Sequence, residues 1–262
     1  MSDFILKCYR LLFARRVFYK WNRLLYLCSL KGLGILNFES SQVSGENAFL
    51  SMYLKGKDDL IVFDVGANVG NYSKKIFKFN PGATVYAFEP HPVIFKRLVN
   101  DVQHPTFYPN NLAVGDQAGI LSLYDYENND GSEHASLFKD VIENIHHGKA
   151  IEHKVNVVSL DAFTQDRSIG TIDLLKIDTE GNELNVLKGI TGLLSKKKVS
   201  AIHFEFNEMN VSSRTYFRDF WNLLPNYAFF RMLPDGLIPI ESYTPLSCEI
   251  FAFQNIVALL RS

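Results

Sequence analysis

Two carboxylates at the ends of hydrophobic segments are the residues of this sequence best suited to bind a small ligand. Asp64 follows the apolar run 60–63, and Glu89 follows the next such run, 84–88. A carboxylate at the end of the second strand of an α/β unit can accept hydrogen bonds from both hydroxyls of a ribose. An acid at the tip of the first strand favours a cationic ligand over a phosphate. The pair therefore indicates a nucleoside ligand that carries positive charge.

A glycine-containing turn separates the first predicted strand from a helix. The order Asp64-x-Gly66-x-Asn68-x-Gly70 lacks the middle glycine of the dinucleotide fingerprint, in which a pyrophosphate sits on the helix N-terminus. S-adenosylmethionine (SAM) has an ammonium and a sulfonium but no phosphate, so it fits better than NAD, although Glu89 would serve either. The predicted cofactor-binding residues are Asp64, Gly66, Asn68, Gly70 and Glu89, with Asn111 and Leu112 at the tip of a third strand, where an adenine edge could be read.

A second group of polar side chains lies near the ends of later strands. Parallel strands present their carboxyl ends to one ligand crevice, so acids there could accept a proton from a substrate hydroxyl or, alternatively, bind a divalent ion. The predicted catalytic residues are Asp178, Glu180, Glu205, His203 and His134. His203 lies within a strand, where a histidine is more often part of the core. A structural alternative for Asp178 and Glu180 is that they orient their loop by accepting backbone hydrogen bonds.

Composition indicates a globular protein with a sizeable core. The chain has 262 residues, of which 47% are apolar and 21% charged, within the range of one α/β domain. A net charge of −1 gives no reason to expect a nucleic-acid partner. Three cysteines without metal-binding spacing favour a reducing, cytoplasmic setting. Charges interrupt the first apolar runs, so neither a secretory signal nor a membrane-spanning segment is predicted.

Residues 1–39 form a predicted basic, amphipathic helical extension, distinct from a domain at 40–262. Residues 1–37 contain seven Lys or Arg and one acid, and the pattern predicts one helix over 3–30. Three interpretations are compatible with it: packing on the domain as a cap, a dimer seam, or contact with an anionic membrane surface. The expected location is cytoplasmic, with peripheral membrane contact as an option.

Alternation of strands and helices predicts a doubly wound α/β sheet. Residues 120–124 and 153–160 read as further strands, and the polar stretch 125–150 between them reads as a loop covering the substrate. Ser212 or Ser213 is the expected cap of a helix with apolar spacing over 217–224. Segments 227–233 and 248–253 are predicted to close the sheet as an antiparallel edge hairpin around the turn Pro234-Asp235-Gly236.

Several of these motifs together resemble the FkbM family of SAM-dependent methyltransferases over about residues 40–260. The most specific motif is Leu175-Lys176-Ile177-Asp178-Thr179-Glu180-Gly181, followed by Leu187-Lys188-Gly189. The other matching segments are Ser44-Gly45-Glu46-Asn47, Phe63-Asp64-Val65-Gly66-Ala67-Asn68-Val69-Gly70, Phe88-Glu89-Pro90 and Leu112-Ala113-Val114-Gly115-Asp116.

This resemblance implies a class I methyltransferase fold: a Rossmann-like, doubly wound sheet of seven strands, mostly parallel with an antiparallel edge hairpin. It also implies SAM as the cofactor and O-methylation of a hydroxyl on a sugar, glycan or other natural product. Two alternatives remain from the residues themselves, namely an NAD-dependent oxidoreductase and a non-catalytic binding module with a methyltransferase fold.

Overall fold

The computed structural model describes residues 2–126 and 149–261. The strands are β1 (Ile61–Val65), β2 (Thr84–Phe88), β3 (Phe107–Asn110), β4 (Ala113–Val114), β5 (Gly119–Tyr126), β6 (Ala150–Val158), β7 (Ile172–Ile177), β8 (Val199–Phe206), β9 (Tyr227–Leu233), β10 (Gly236–Ile240) and β11 (Gln254–Leu260).

The first helices are α1 (Ser2–Phe13), a 3-10 turn (Arg16–Phe18), α2 (Tyr19–Gly32), α3 (Glu46–Leu54), α4 (Asn71–Phe79) and α5 (Pro92–Asp101). The later ones are α6 (Leu160–Asp166), α7 (Glu183–Lys188), α8 (Thr191–Ser195), α9 (Met209–Ser212), α10 (Phe217–Leu223) and α11 (Pro245–Cys248).

The main sheet has eight strands in the order β10-β9-β11-β8-β7-β1-β2-β3. Strands β3, β2, β1, β7 and β8 are parallel, and β11, β9 and β10 are antiparallel. The strand order reverses at β1, which has β2 on one side and β7 on the other, so the ligand crevice is expected outside the carboxyl ends of these strands. The prediction of a mostly parallel, doubly wound sheet is confirmed, with one strand more than the seven implied.

The edge hairpin turns at 234–236 as predicted, but its second strand was assigned wrongly. Strand β10 follows the turn directly and pairs with β9, whereas the predicted strand at 248–253 does not form. Thr244 instead caps the helical turn α11 by accepting a hydrogen bond from the backbone N–H of Ser247. Both edge strands of the main sheet contain a proline, Pro239 in β10 and Pro109 in β3.

The segments predicted as strands at 120–124 and 153–160 do form strands, but outside the main sheet. Strands β5 and β6 pair antiparallel, from Gly119 opposite Val157 to Tyr126 opposite Ala150, and β6 also pairs with β4. These three strands make a separate small sheet. The sequence pattern showed extended structure but not which strands would pair.

The core lies on both faces of the main sheet. Strand β7 is buried almost throughout. On one face Phe63, Phe88 and Phe163 pack in tilted or edge-on contacts. On the other, α3 and α4 contribute Phe49, Leu50 and Ile76.

Helix α10 is capped differently from the prediction: Asp219, not Ser212 or Ser213, accepts the backbone N–H of Tyr216.

The predicted single helix over 3–30 is in fact broken. Helix α1 ends at Phe13, and the chain turns through the 3-10 segment before α2 begins. Asn22 fixes the bend, because its Nδ2 donates a hydrogen bond to the carbonyl of Phe13 at 3.0 Å. No side chain from residue 3 to 29 is buried, and Leu30 is the first to enter the core. No described helix combines the length and apolarity required to cross a bilayer.

Candidate active site

A crevice open to solvent lies at the carboxyl ends of β1, β2 and β7. This is the switch point of the sheet, where α/β folds bind ligands. Its lining residues are Val65, Gly66, Asn68, Phe88, Glu89, Pro90, Ile94, Leu112, Ala113, Val114, Leu123, Asp178, Thr179, Glu180 and Asn182.

Glu89 is held rigidly in the wall of this crevice. Its Oε2 accepts the backbone N–H of Asn68 at 2.9 Å, and its Oε1 accepts that of His91 at 2.8 Å. Each oxygen keeps a second lone pair for a ligand hydroxyl. Burial raises the pKa of Glu89 to about 7, against the opposing effect of the two backbone hydrogen bonds.

The two glycines of the β1–α4 turn are required by neighbouring segments of the protein. Gly66 and Gly70 have φ values of +77° and +81°. A Cβ at Gly66 would lie 1.7 Å from the carbonyl oxygen of Asp178, and one at Gly70 would lie 2.2 Å from Cγ2 of Val102. Gly66 therefore lets the turn pack against the end of β7, inside the crevice. Gly70 lets α4 approach α5, and it does not line the crevice.

Asp64 lies within β1 rather than at its end, contrary to the prediction. Its side chain is 1% exposed, and its Oδ2 accepts a hydrogen bond from Ser73 Oγ at 2.6 Å. Burial raises its pKa to about 6. The carboxylate joins the first turn of α4 to the strand and is absent from the crevice lining.

The two residues predicted to read an adenine edge have different positions. Leu112 lines the crevice. The Asn111 side chain donates hydrogen bonds to the carbonyls of Glu89 and Pro90 at 2.9 and 3.0 Å. Asn111 therefore fixes the loop that carries Glu89, and the structure gives it no place in the crevice wall.

Asp178 and Glu180 line the same crevice as Glu89, as predicted. Glu180 has a φ of +52°, a left-handed conformation that is unfavourable for a non-glycine residue. Burial raises its pKa to about 8, and the neighbouring charges of Asp178 and Glu183 add to the effect. Perturbed carboxyl groups of this kind concentrate at functional sites.

The loop after β7 is organised by Glu183, which the sequence analysis did not single out. Its Oε1 accepts the backbone N–H groups of Thr179 and Gly181, both at 3.0 Å, and the Thr179 hydroxyl at 3.0 Å. The loop-orienting role considered for Asp178 and Glu180 therefore belongs to Glu183.

Lys176 is the second residue that the sequence analysis missed. It is 3% exposed, and its Nζ lies 3.5 Å from Asp178 Oδ2 and 3.8 Å from Glu205 Oε1. Burial raises the pKa of Glu205 well above its usual range, while Lys176 acts in the opposite direction. A lysine inside the apolar strand β7 was the available signal, because a buried charge requires a partner.

Of the two histidines predicted to be catalytic, His203 and His134, the structure describes only His203. His203 is fully buried, with Nδ1 3.0 Å from the Tyr72 hydroxyl and Nε2 2.9 Å from Asn255 Oδ1. Burial and the nearby Lys176 hold the pKa of His203 well below its usual value, so it is neutral. It packs in the core and does not line the crevice. His134 lies outside the described residues. Within 2–126 and 149–261, no group of three or more His, Cys, Asp or Glu side chains is arranged to hold a metal ion.

The switch-point crevice, the acid at the end of β2 and the antiparallel edge define a class I methyltransferase fold. The chain belongs to the FkbM methyltransferase domain family, whose model matches residues 64–231. The family recognised in the sequence is therefore confirmed, and with it SAM as the expected cofactor.

Among characterised relatives, the chain is 33% identical over 155 residues to 31-O-demethyl-FK506 methyltransferase FkbM of Streptomyces tacrolimicus, covering 50% of this chain and 59% of that one. It is 26% identical over 155 residues to hexuronic acid methyltransferase AglP of Haloferax volcanii, covering 57% and 58%. The chain thus spans less than two thirds of either relative. One similar solved structure is the plantazolicin methyltransferase BpumL in complex with SAH, with 13% identity, 83% coverage of each chain and a TM-score of 0.44.

The residues present in the crevice fit SAM. Glu89 offers two fixed carboxylate oxygens for ribose hydroxyls, and Ile94 and Leu112 supply apolar walls suited to a base. Asp178 and Glu180 lie in the same crevice wall and remain available for the acceptor. Among the described residues that line the crevice, none is a lysine or an arginine.

Proposed function

We propose that the chain transfers a methyl group from SAM to a hydroxyl of a sugar, glycan or other natural product. The observation that carries this proposal is the position of Glu180 in the same crevice wall as Glu89. A carboxyl group with its pKa raised to about 8 is well matched to accepting a proton near neutral pH. The nucleoside-binding carboxylate and a proton acceptor thus share one site.

When bound, SAM supplies a methyl group already activated by its sulfonium. What remains for the chain is to hold the acceptor hydroxyl in line with that group and to take its proton. In this proposal Asp178 and Glu180 hydrogen-bond the acceptor hydroxyl and one of them receives the proton. Lys176 opposes the rise in the pKa of Glu180 and Glu205, which increases the fraction of ionised carboxylate available as base.

The names of the relatives support a hydroxyl acceptor. Two names give a methylated oxygen position: the FkbM enzyme above and the 2-O-methyltransferase NoeI of Sinorhizobium fredii, 20% identical over 192 residues. The name of AglP gives a sugar acid as its substrate. These names point to a sugar or a related oxygenated natural product as the substrate class. The NAD-dependent alternative loses support because the family match is to methyltransferases, and the non-catalytic alternative because Glu89, Asp178 and Glu180 are all in the crevice.

The test is transfer of label from methyl-labelled SAM into a cell extract, with the labelled product identified by NMR. We expect an O-methyl product with the unchanged protein and with Glu241→Gln, a control carboxylate exposed outside the crevice. Glu180→Gln should reduce labelling. Label on nitrogen or carbon would contradict the hydroxyl acceptor. Binding of S-adenosylhomocysteine without any transfer would favour the binding module, and a thermal shift with NADH alone would favour the oxidoreductase.

A further inference from the structure

The two leading helices, defined as α1 and α2 with the turn between them, expose an unusual amount of apolar surface. Ten large apolar side chains there are more than half exposed, against four among the described residues of 40–262. They are Phe4, Ile5, Leu6, Leu11, Leu12, Val17, Tyr19, Trp21, Leu24 and Tyr26. Contiguous apolar surface of this kind marks an interaction site.

Charge on the leading helices is almost entirely positive. Seven Lys or Arg lie within residues 7–31, against the single acid Asp3. That acid is paired with Lys7, whose Nζ lies 3.0 Å from its Oδ2. On α1, Asp3, Lys7 and Arg10 follow the i, i+4, i+7 spacing and share one edge, so the rest of the helix circumference is apolar. The surface is therefore apolar and cationic together.

The bend between the two helices is held by side-chain contacts. Asn22 donates to the carbonyl of Phe13 at 3.0 Å and also accepts a hydrogen bond from the Tyr9 hydroxyl. The rings of Tyr9, Phe13 and Phe18 pack in sequence, with centroids 5.1 and 5.2 Å apart. The leading helices thus present their apolar and basic side chains as one bent unit.

From this surface we infer that the leading helices bind an anionic lipid bilayer, lying in its headgroup region. Aromatic and aliphatic side chains beside lysines and arginines are the composition that such interfacial helices require. A second copy of the chain is a poorer occupant for two reasons. The contact surface between two packed helices is a narrow apolar stripe along each helix. On α1, by contrast, apolar side chains occupy most of the circumference. A homodimer would also bring two segments of net charge +6 together.

Trp21 provides a direct measurement, because the chain has only two tryptophans. In a Trp221→Phe background, Trp21, which is 52% exposed, is the sole indole. The protein is mixed with vesicles of phosphatidylcholine alone or with about one third phosphatidylglycerol. We expect a blue shift of emission, and quenching by brominated lipid, with the anionic vesicles at low salt. Each neutralised basic residue, such as Arg16→Gln or Lys20→Gln, should weaken partitioning about fivefold.

Two matched substitutions separate this surface from a general effect of charge. Leu11→Glu and Leu246→Glu each add a carboxylate at an exposed leucine, 69% and 91% exposed. Only Leu11→Glu should reduce vesicle binding. Absence of any spectral shift, equal binding to neutral and anionic vesicles, or equal loss in both variants would overturn the inference. So would sedimentation as a dimer that Leu11→Glu dissociates while vesicles leave Trp21 unchanged.

Discussion

Lys176 and Asp178 point to the same side of β7 and meet at its end, with Nζ of the lysine 3.5 Å from Oδ2 of the aspartate. One group is buried and the other is partly open to the crevice, so the contact joins the core of the sheet to the candidate active site. The lysine forms no hydrogen bond with any described residue, so its stabilisation comes from Asp178 and Glu205 together. This charge cluster determines how the carboxylates of the site behave.

Replacing Lys176 with Met should be strongly destabilising. Breaking a buried ion pair leaves its partners uncompensated and costs about 3–5 kcal/mol, and here Glu205 would be the more deeply buried orphan. Urea unfolding measures the loss, with Lys198→Met as the exposed control. A double variant with Glu205→Gln should recover part of the stability, since it removes the orphaned charge. Strict additivity of the two changes would contradict the coupling.

Replacing Glu89 with Gln should weaken binding of S-adenosylhomocysteine by about 1–3 kcal/mol, because hydrogen bonds to a charged acceptor are lost. Calorimetry at pH 8, where a carboxyl with a pKa of about 7 is mostly ionised, measures the affinity. Asn111→Ala, which loosens the loop without touching the crevice, should have a smaller effect. Unchanged affinity in a folded Glu89→Gln protein would remove this residue from the ribose role.

Asp178→Asn and Glu180→Gln should lower kcat more than they alter cofactor affinity. General-base assistance contributes about 10²–10⁴-fold in rate, and the variant that removes the base should lose about that factor. Turnover with the identified acceptor and calorimetry with S-adenosylhomocysteine provide the two measurements. If both variants retain near-normal kcat, the base lies elsewhere or alignment of the reactants is sufficient.

The stability of the protein should fall as the pH rises from about 4.5 to 8. The pKa values of Asp64, Glu89 and Glu180 are raised to about 6, 7 and 8, so in this window the folded chain binds more protons than the unfolded chain. Unfolding free energy then decreases with pH. Glu180→Gln should flatten the upper part of the curve and stabilise the protein at pH 8.5. Urea titrations at pH 5.5, 7 and 8.5 test this, and an unchanged slope would contradict the raised pKa of Glu180.

Gly66→Ala and Gly56→Ala separate steric contact from backbone strain. Both glycines have φ above +70°, but an added Cβ would meet the Asp178 carbonyl at 1.7 Å in one case and open space in the other. Gly56→Ala should therefore cost only about 1–2 kcal/mol for the left-handed conformation. Gly66→Ala should cost clearly more and weaken cofactor binding. Equal costs by chemical denaturation would show that the packing against β7 is unimportant.

The sequence was most informative where local signals determine structure. Three such signals lie where they were expected in the fold: the apolar run ending before Glu89, the glycines of the β1–α4 turn and the acids after β7. Pairing between distant segments was not predictable in the same way, so the sequence did not indicate that β5 and β6 belong to a separate small sheet. Helix α11 was missed because its cap, Thr244, looked no different from other loop residues.

Side-chain direction explains the differences at the site. Asp64 was expected to face the ligand because the apolar run 60–63 stops before it, but β1 continues to Val65 and the carboxylate is turned towards Ser73. Glu183 and Lys176 went unnoticed because their importance depends on three-dimensional contacts. Their signals were present, a lysine within β7 and an acid shortly after Gly181, yet neither specifies a partner until the sheet is assembled.

The prolines in β3 and β10 have a consequence for the behaviour of the protein at high local concentration. Exposed edge strands are templates for fibrillar aggregation, because their free N–H and C=O groups can pair with another chain. Pro109 and Pro239 each remove one donor from the two outermost strands. Crowding of many copies on a bilayer, as the leading helices would bring about, should therefore not extend the main sheet from one molecule to the next.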